Sequence, residues 1–177
     1  MKWIKGVLLG LLILLLLIAG TLAYLLQASG KLRDFQAWQP KTGTSVHGLT
    51  VKFFGVSTLL IDDGHDQILI DGFFSRPSLW QVLSRPIQSD RLLLEQLVQR
   101  HKLSRTQAIL VTHSHYDHVL DVPALLEILP KTAVVGSPST LNIARANPKI
   151  TPQQLQPVKL GQVQQWGHFQ ITAIPSQ

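Results

Sequence analysis

A chain of 177 residues with 45% hydrophobic content can bury one moderate core, and this length allows one domain plus an N-terminal extension. It has no cysteine, which excludes disulfides and thiolate metal sites and leaves only nitrogen and oxygen ligands. The formal charge of +6 reflects 16 basic and 10 acidic residues; Lys2 and Lys5 supply two units, so from Lys31 onward 14 − 10 leaves +4. No basic tract interleaved with aromatics marks a nucleic-acid surface, so no nucleic-acid partner is expected.

After Lys2 and Lys5 no charge occurs until Lys31, and Val7 to Leu26 is almost wholly Leu, Ile, Val, Ala and Gly. About 20 such residues cross a bilayer. Thr21-Leu22-Ala23 resembles an export-signal cleavage site, but the apolar region of a cleaved signal is only about 7 to 15 residues long. The longer run favours a retained single-pass anchor over residues 1–28, with the membrane bilayer as partner. Lys2 and Lys5 nearly balance Lys31 and Arg33, and the reading adopted is N-terminus inside with the following domain on the outer, periplasmic or extracellular side. Residues 29–47, with Gly30, Pro40 and Gly43, read as a polar juxtamembrane linker, and 48–177 as the domain.

Within the domain, Leu49 to Phe54 and Thr58 to Ile61 read as strands, Asp62-Asp63-Gly64-His65 as a turn, and Gln67 to Ile70 as the returning strand. His65 is then an exposed polar residue at a hairpin tip. Asp71 leaves the end of that strand just before Gly72, either as a turn carboxylate bonded to its own backbone or as a support for ligands on a neighbouring loop. Phe73, Phe74 and Trp80 read mainly as packing residues, with a substrate entrance as the alternative. Ser89 or Asp90 caps a helix running to about Lys102, with Leu93, Leu94, Leu97, Val98 and the terminal His101 on one face. The basic residues Arg85, Arg91, Arg100, Lys102 and Arg105 on and near it read as a solvated face, with anionic headgroups as the other option.

The apolar run Ala108-Ile109-Leu110-Val111-Thr112 reads as a buried strand, and His113-Ser114-His115-Tyr116-Asp117-His118 follows it directly. Extended residues two apart lie on one side of the chain at roughly 6.5 Å, so His113 and His115 can lean onto one ion at about 2.0 to 2.1 Å per Zn–N bond. Asp117 and His118 serve a second position. Zinc suits this nitrogen-rich set, and Mn2+ or Fe2+ would also accept it. Beyond it, Val122 to Leu129 reads as a helix opened by Asp121, Ala133 to Val135 as a strand, and Pro138 to Asn147 as a helix started at Ser137. Val163 to Trp166 and His168 to Ile174 form a closing hairpin, and His168 starts its strand at the wrong end for a ligand. Strand and helix alternate, so the class is α/β.

Thr112-His113-Ser114-His115-Tyr116-Asp117-His118 resembles the HxHxDH signature of the metallo-β-lactamase-fold hydrolases, and Ile68-Leu69-Ile70-Asp71-Gly72 is similar to the strand and aspartate that precede it in that family. With Leu120-Asp121 following, the local flavour resembles the branch containing N-acylphosphatidylethanolamine phospholipase D and sugar-phosphate lactonases. The resemblance covers roughly residues 50 to 177. It implies an αββα sandwich of which this chain holds the N-terminal half, two metal ions, and a supporting role for Asp71. In the family, a strand like the last one here is followed by a third ligand histidine, then a bridging carboxylate and another histidine. None lies within the 177 residues, so a domain truncated at its C-terminus, inactive by itself, is expected.

The chemistry implied is metal-assisted hydrolysis, in which two ions lower the pKa of a bound water towards about 7. Asp117 is the candidate to ligate one ion and to orient that water. No G-x-S-x-G elbow and no cysteine supports a covalent alternative. The expectation is a membrane-anchored hydrolase of an ester, lactone or phosphodiester, small or lipid-derived. The alternative is a truncated, noncatalytic metal-binding membrane protein.

Overall fold

The computed structural model describes residues 2–26 and 48–174, so the linker expected at 29–47 falls outside the described residues. Two compact units result, divided at Thr44 and Ser45. The first contains helix α1, Lys2–Leu25, of 24 residues. At 1.5 Å per residue it is about 36 Å long, enough for the roughly 30 Å of a bilayer core. Every side chain from Trp3 to Leu26 is exposed. An apolar helix with no polar face has nothing to gain from water, and by length and composition this one can cross a membrane.

The second unit is α/β. Strands β1 (Thr50–Gly55), β2 (Thr58–Asp62), β3 (Gln67–Ile70), β4 (Thr106–Leu110), β5 (Ala133–Gly136) and β6 (Leu155–Pro157) lie in that order in one sheet. The first three pair antiparallel, and β3 to β6 pair parallel. Parallel neighbours need crossovers, which here carry helices α3 (Arg91–Arg100), α5 (Val122–Ile128) and α6 (Pro138–Arg145). These helices bury Leu94, Leu125, Leu126 and Ala144 against Leu60, Leu69, Ile109 and Val134 on one face of the sheet. The other face presents Ile68, Ala108 and Val135 to Trp166, Phe169 and Ile171 of a separate hairpin, β7 (Val163–Trp166) and β8 (Phe169–Thr172). Burial on both faces explains why β3 and β4 are continuous apolar runs rather than alternating ones.

Coverage of the hairpin side is uneven. Val51 and Phe53 pair with Ile61 and Leu59, which pair in turn with Ile68 and Ile70, so all six share that side. Val51 and Phe53 remain 59% and 64% exposed.

Residue chemistry sets the helix starts. Asp90 accepts from the Leu93 amide at 3.1 Å, and Ser137 accepts from Thr140 at 3.3 Å. Helix α3 ends at Arg100 rather than Lys102, because Lys102 turns into the left-handed region with φ 52°. Helix α6 likewise stops at Arg145, short of Asn147. Of the basic residues around α3, Arg91 pairs with Glu95 and Glu127, and Arg105 with Asp62. Phe73 and Phe74 are buried as packing residues, whereas Trp80 lies 75% exposed on a short helix, α2 (Leu79–Ser84), that the sequence pattern does not foretell.

Candidate metal centre

The HxHxDH residues emerge where parallel β4 ends. The Val111 amide still donates to Val135 at 2.9 Å, and regular pairing then stops. Ser114 turns towards α6, where its hydroxyl lies 2.9 Å from Thr140 Oγ1 and 3.1 Å from Ser137 Oγ. In a locally extended segment the flanking side chains point the opposite way. His113 and His115 are accordingly exposed side by side, with ring centroids 4.7 Å apart. His115 then stands at the N-terminus of the short helix α4 (Tyr116–Val119), whose first turn carries Asp117 and His118. The His113 ring also meets that of His118, with centroids 3.7 Å apart.

His118 is buried, and its Nδ1 lies 2.8 Å from Oδ2 of Asp71, which has no exposed surface. Ser57 Oγ at 2.9 Å and Thr112 Oγ1 at 3.2 Å complete the surroundings of that nitrogen. A carboxylate can only accept, so Nδ1 carries a proton and Nε2 is the ring nitrogen left for another partner. Nε2 lies 3.8 Å from Asp117 Oδ2. The Thr112 amide and hydroxyl also donate to Asp71 Oδ1, at 2.8 and 2.9 Å. Asp71 therefore fixes both the strand end before the histidines and the ring of the last one, rather than closing a turn on its own backbone.

Asp71 reaches this position through an unusual backbone. Its φ is 59° and that of Gly72 is 90°, two left-handed residues in succession. Aspartate tolerates that region better than most residues, and its amide is tied to Leu110 O at 2.8 Å. A Cβ on Gly72 would sit 3.1 Å from both Leu125 Cδ1 and Leu69 Cδ2, so only glycine lets the turn approach the core this closely.

Asp121, expected only to open α5, holds that residue position but makes no side-chain cap. It is fully buried, and its carboxylate accepts the amides of Phe74 and Ser75 at 2.7 Å each and the Ser75 hydroxyl at 2.6 Å. It thus anchors the segment after Gly72 from just beyond the histidine motif. The signal available in the sequence was the acid itself, following Val119-Leu120 where a buried charge needs several partners.

His65 and His168 lie at the opposite end of the sheet, by the turn into β3. His168 Nδ1 is 3.0 Å from Asp63 Oδ2, its amide is 3.0 Å from Asp66 Oδ2, and its ring meets that of His65 at 5.5 Å. Ligating atoms of Asp63, Asp66 and His168 fall within 4.8 Å of one another. Both carboxylates already serve the turns, because Asp63 Oδ1 accepts the amides of His65 and Asp66, and Asp66 Oδ1 accepts Gln107 Nε2 at 2.6 Å. The group latches the β7–β8 turn to the β2–β3 turn.

The donor chemistry of the motif fits a transition metal. Two exposed imidazoles lean together, and a third imidazole has Nδ1 spoken for and Nε2 beside a carboxylate, the arrangement that metal-bound histidines take with a supporting acid. Comparison with known families decides the wider kinship. The sequence profile of the Beta-lactamase superfamily domain matches residues 66–177, more than half of the chain. The chain belongs to this family. Beta-lactamase superfamily membership points to a hydrolase-type function, and it places Asp71, the histidine motif and Asp121 all inside the matched region. A search among curated proteins finds no match to the chain.

Proposed function

We propose that this Beta-lactamase superfamily protein is a membrane-anchored, metal-dependent hydrolase acting on an ester, lactone or phosphodiester, with His113, His115, Asp117 and His118 as metal ligands and Asp71 as their support. The observation that carries this reading is the Asp71–His118 bond, which leaves Nε2 facing the Asp117 carboxylate 3.8 Å away. With Nδ1 held by Asp71, Nε2 is the ring nitrogen left to ligate a metal. Zinc, with manganese or iron as other candidates, would supply a water activated near neutral pH and positive charge for the oxygen that becomes negative. Asp117, 38% exposed at its side chain, orients the attacking water. Ser114, pinned to Ser137 and Thr140, keeps the His113 and His115 rings turned away from α6.

A lipid-derived substrate is supported by two features. A cavity of about 600 Å³ lies between the sheet and the β7–β8 hairpin, lined by Ile70, Leu110, Thr112, Val135, Trp166 and Ile171. Thr112 ends this apolar wall and adjoins His113, so an acyl portion could rest there. Helix α1 would hold the enzyme at the bilayer, with the domain on the outer side. The test is hydrolysis of generic phosphodiester, lactone and ester substrates by the natural gene product, with zinc and with manganese. Metal-dependent turnover that Asp117→Ala abolishes is expected; equal turnover by that variant would contradict the assignment.

A further inference from the structure

Helix α2 buries none of its residues, yet it is well formed. Ser78 and Gln81 cap it reciprocally: the Gln81 amide donates to Ser78 Oγ at 3.3 Å, and the Ser78 amide donates to Gln81 Oε1 at 2.7 Å. Its positions i, i+1 and i+4 are Leu79, Trp80 and Leu83, which share one face and are 73%, 75% and 72% exposed. Leu92, at the start of α3, is 73% exposed as well. From Phe73 to Leu92 the charged residues are Arg76, Arg85, Asp90 and Arg91, three cations to one acid. A protein surface thus offers two leucines and a tryptophan to whatever lies outside it, with Arg85 beside them, while Arg76 turns its guanidinium to the Phe54 carbonyl.

We propose that this face of α2 docks on an anionic lipid bilayer, as a second membrane contact in addition to α1. The chemistry matches each layer of that surface. Leucine side chains enter the acyl boundary, the tryptophan ring suits the headgroup level, and arginine meets lipid phosphates. Three apolar side chains give a weak contact by themselves. A chain already tethered through α1 meets the bilayer at high effective concentration, so a weak contact suffices; the inference rests on that reading of α1. A second copy of the chain is a poorer occupant, because two-fold pairing of this face would bring Arg85 towards its own counterpart, whereas α1 already brings the face to a bilayer. Through Ser75, whose amide is held by Asp121, α2 continues the segment that begins at Asp71, so docking would fix how the candidate metal centre faces the bilayer.

The chain has no native cysteine, so single cysteines can report position cleanly. Leu83→Cys, Leu14→Cys in α1 and Gln153→Cys on an exposed turn would each carry an environment-sensitive fluorophore, in the full chain reconstituted into nanodiscs of phosphatidylcholine with or without phosphatidylglycerol. Lipids brominated in their acyl chains serve as quencher. The expected result is quenching at Leu14 and Leu83, none at Gln153, stronger quenching at Leu83 with phosphatidylglycerol, and a docking constant about fivefold lower in Arg85→Gln. Quenching at Leu14 with none at Leu83 would overturn the inference while leaving the anchor standing. No quenching at either position would remove the anchor and the inference together. A blue shift at Leu83 without lipid quenching would assign the face to a protein partner instead of the bilayer.

Discussion

His118 Nδ1 bonds Asp71 Oδ2 at 2.8 Å across 47 residues of sequence, joining the end of β3 to the first turn of α4. Because Asp71 also takes the Thr112 amide and hydroxyl, a single buried carboxylate sets the direction of both halves of the histidine motif. Supporting acids of this kind contribute about 10- to 100-fold to metal affinity. Asp71→Asn should therefore weaken zinc binding by that factor, read by competition with a chromophoric chelator. Unchanged affinity would show that His118 needs no such support.

Asp121 presents a different case, since its carboxylate serves the Phe74 and Ser75 amides and the Ser75 hydroxyl rather than a histidine. With three short hydrogen bonds and no exposed surface, Asp121→Ala strands the amides of Phe74 and Ser75. The expected loss is about 3 kcal/mol of stability by denaturant unfolding. A loss within about 0.5 kcal/mol, the usual range for a surface substitution, would show that the bonds are not formed.

At Gly72, φ of 90° and the prospective 3.1 Å contacts with Leu125 and Leu69 act in the same direction. Gly72→Ala should cost about 1 to 3 kcal/mol. Gly64, also at positive φ but with no atom near its prospective Cβ, provides the comparison, and Gly64→Ala should cost less. Equal costs would remove the packing argument.

The latch between the turns is sensitive to acid. The amides of Asp66 and His65 donate to Asp63, with His168 adjacent, and hold its pKa at about 2, below the ordinary 3.8. A depressed folded-state pKa contributes stability that is present above the unfolded value and is lost as pH falls from about 4 towards 2. Carboxyl-carbon NMR should show Asp63 titrating near 2, and Asp63→Asn should flatten the acid limb of the stability profile. A midpoint at the ordinary value would mean that the turn does not hold the carboxylate.

Much of this was legible because it is local. Ile68 to Ile70 and Ala108 to Val111 are apolar runs bounded by turn residues, Asp90 and Ser137 are capping types at helix starts, and the i, i+2 spacing of His113 and His115 survives as two adjacent exposed rings. What stayed hidden is long-range or too short to have a period. Nothing local says that Asp121 will reach 46 residues back to Ser75, or that His168 will meet Asp63 at a separation of 105. Helix α2 spans six residues and buries none, so it leaves no apolar stripe to read.

If the histidine motif holds the metal, zinc content by elemental analysis will follow His113 and His115. The full chain should be stripped with chelator, reloaded and desalted in three forms: wild type, His113→Ala with His115→Ala, and Asp63→Ala with His168→Ala. Zinc is expected in the wild type and in the latch variant, and is expected to be lost from the histidine-motif variant. Zinc retained by the His113 and His115 double variant but lost from the Asp63 and His168 variant would contradict this assignment of the metal.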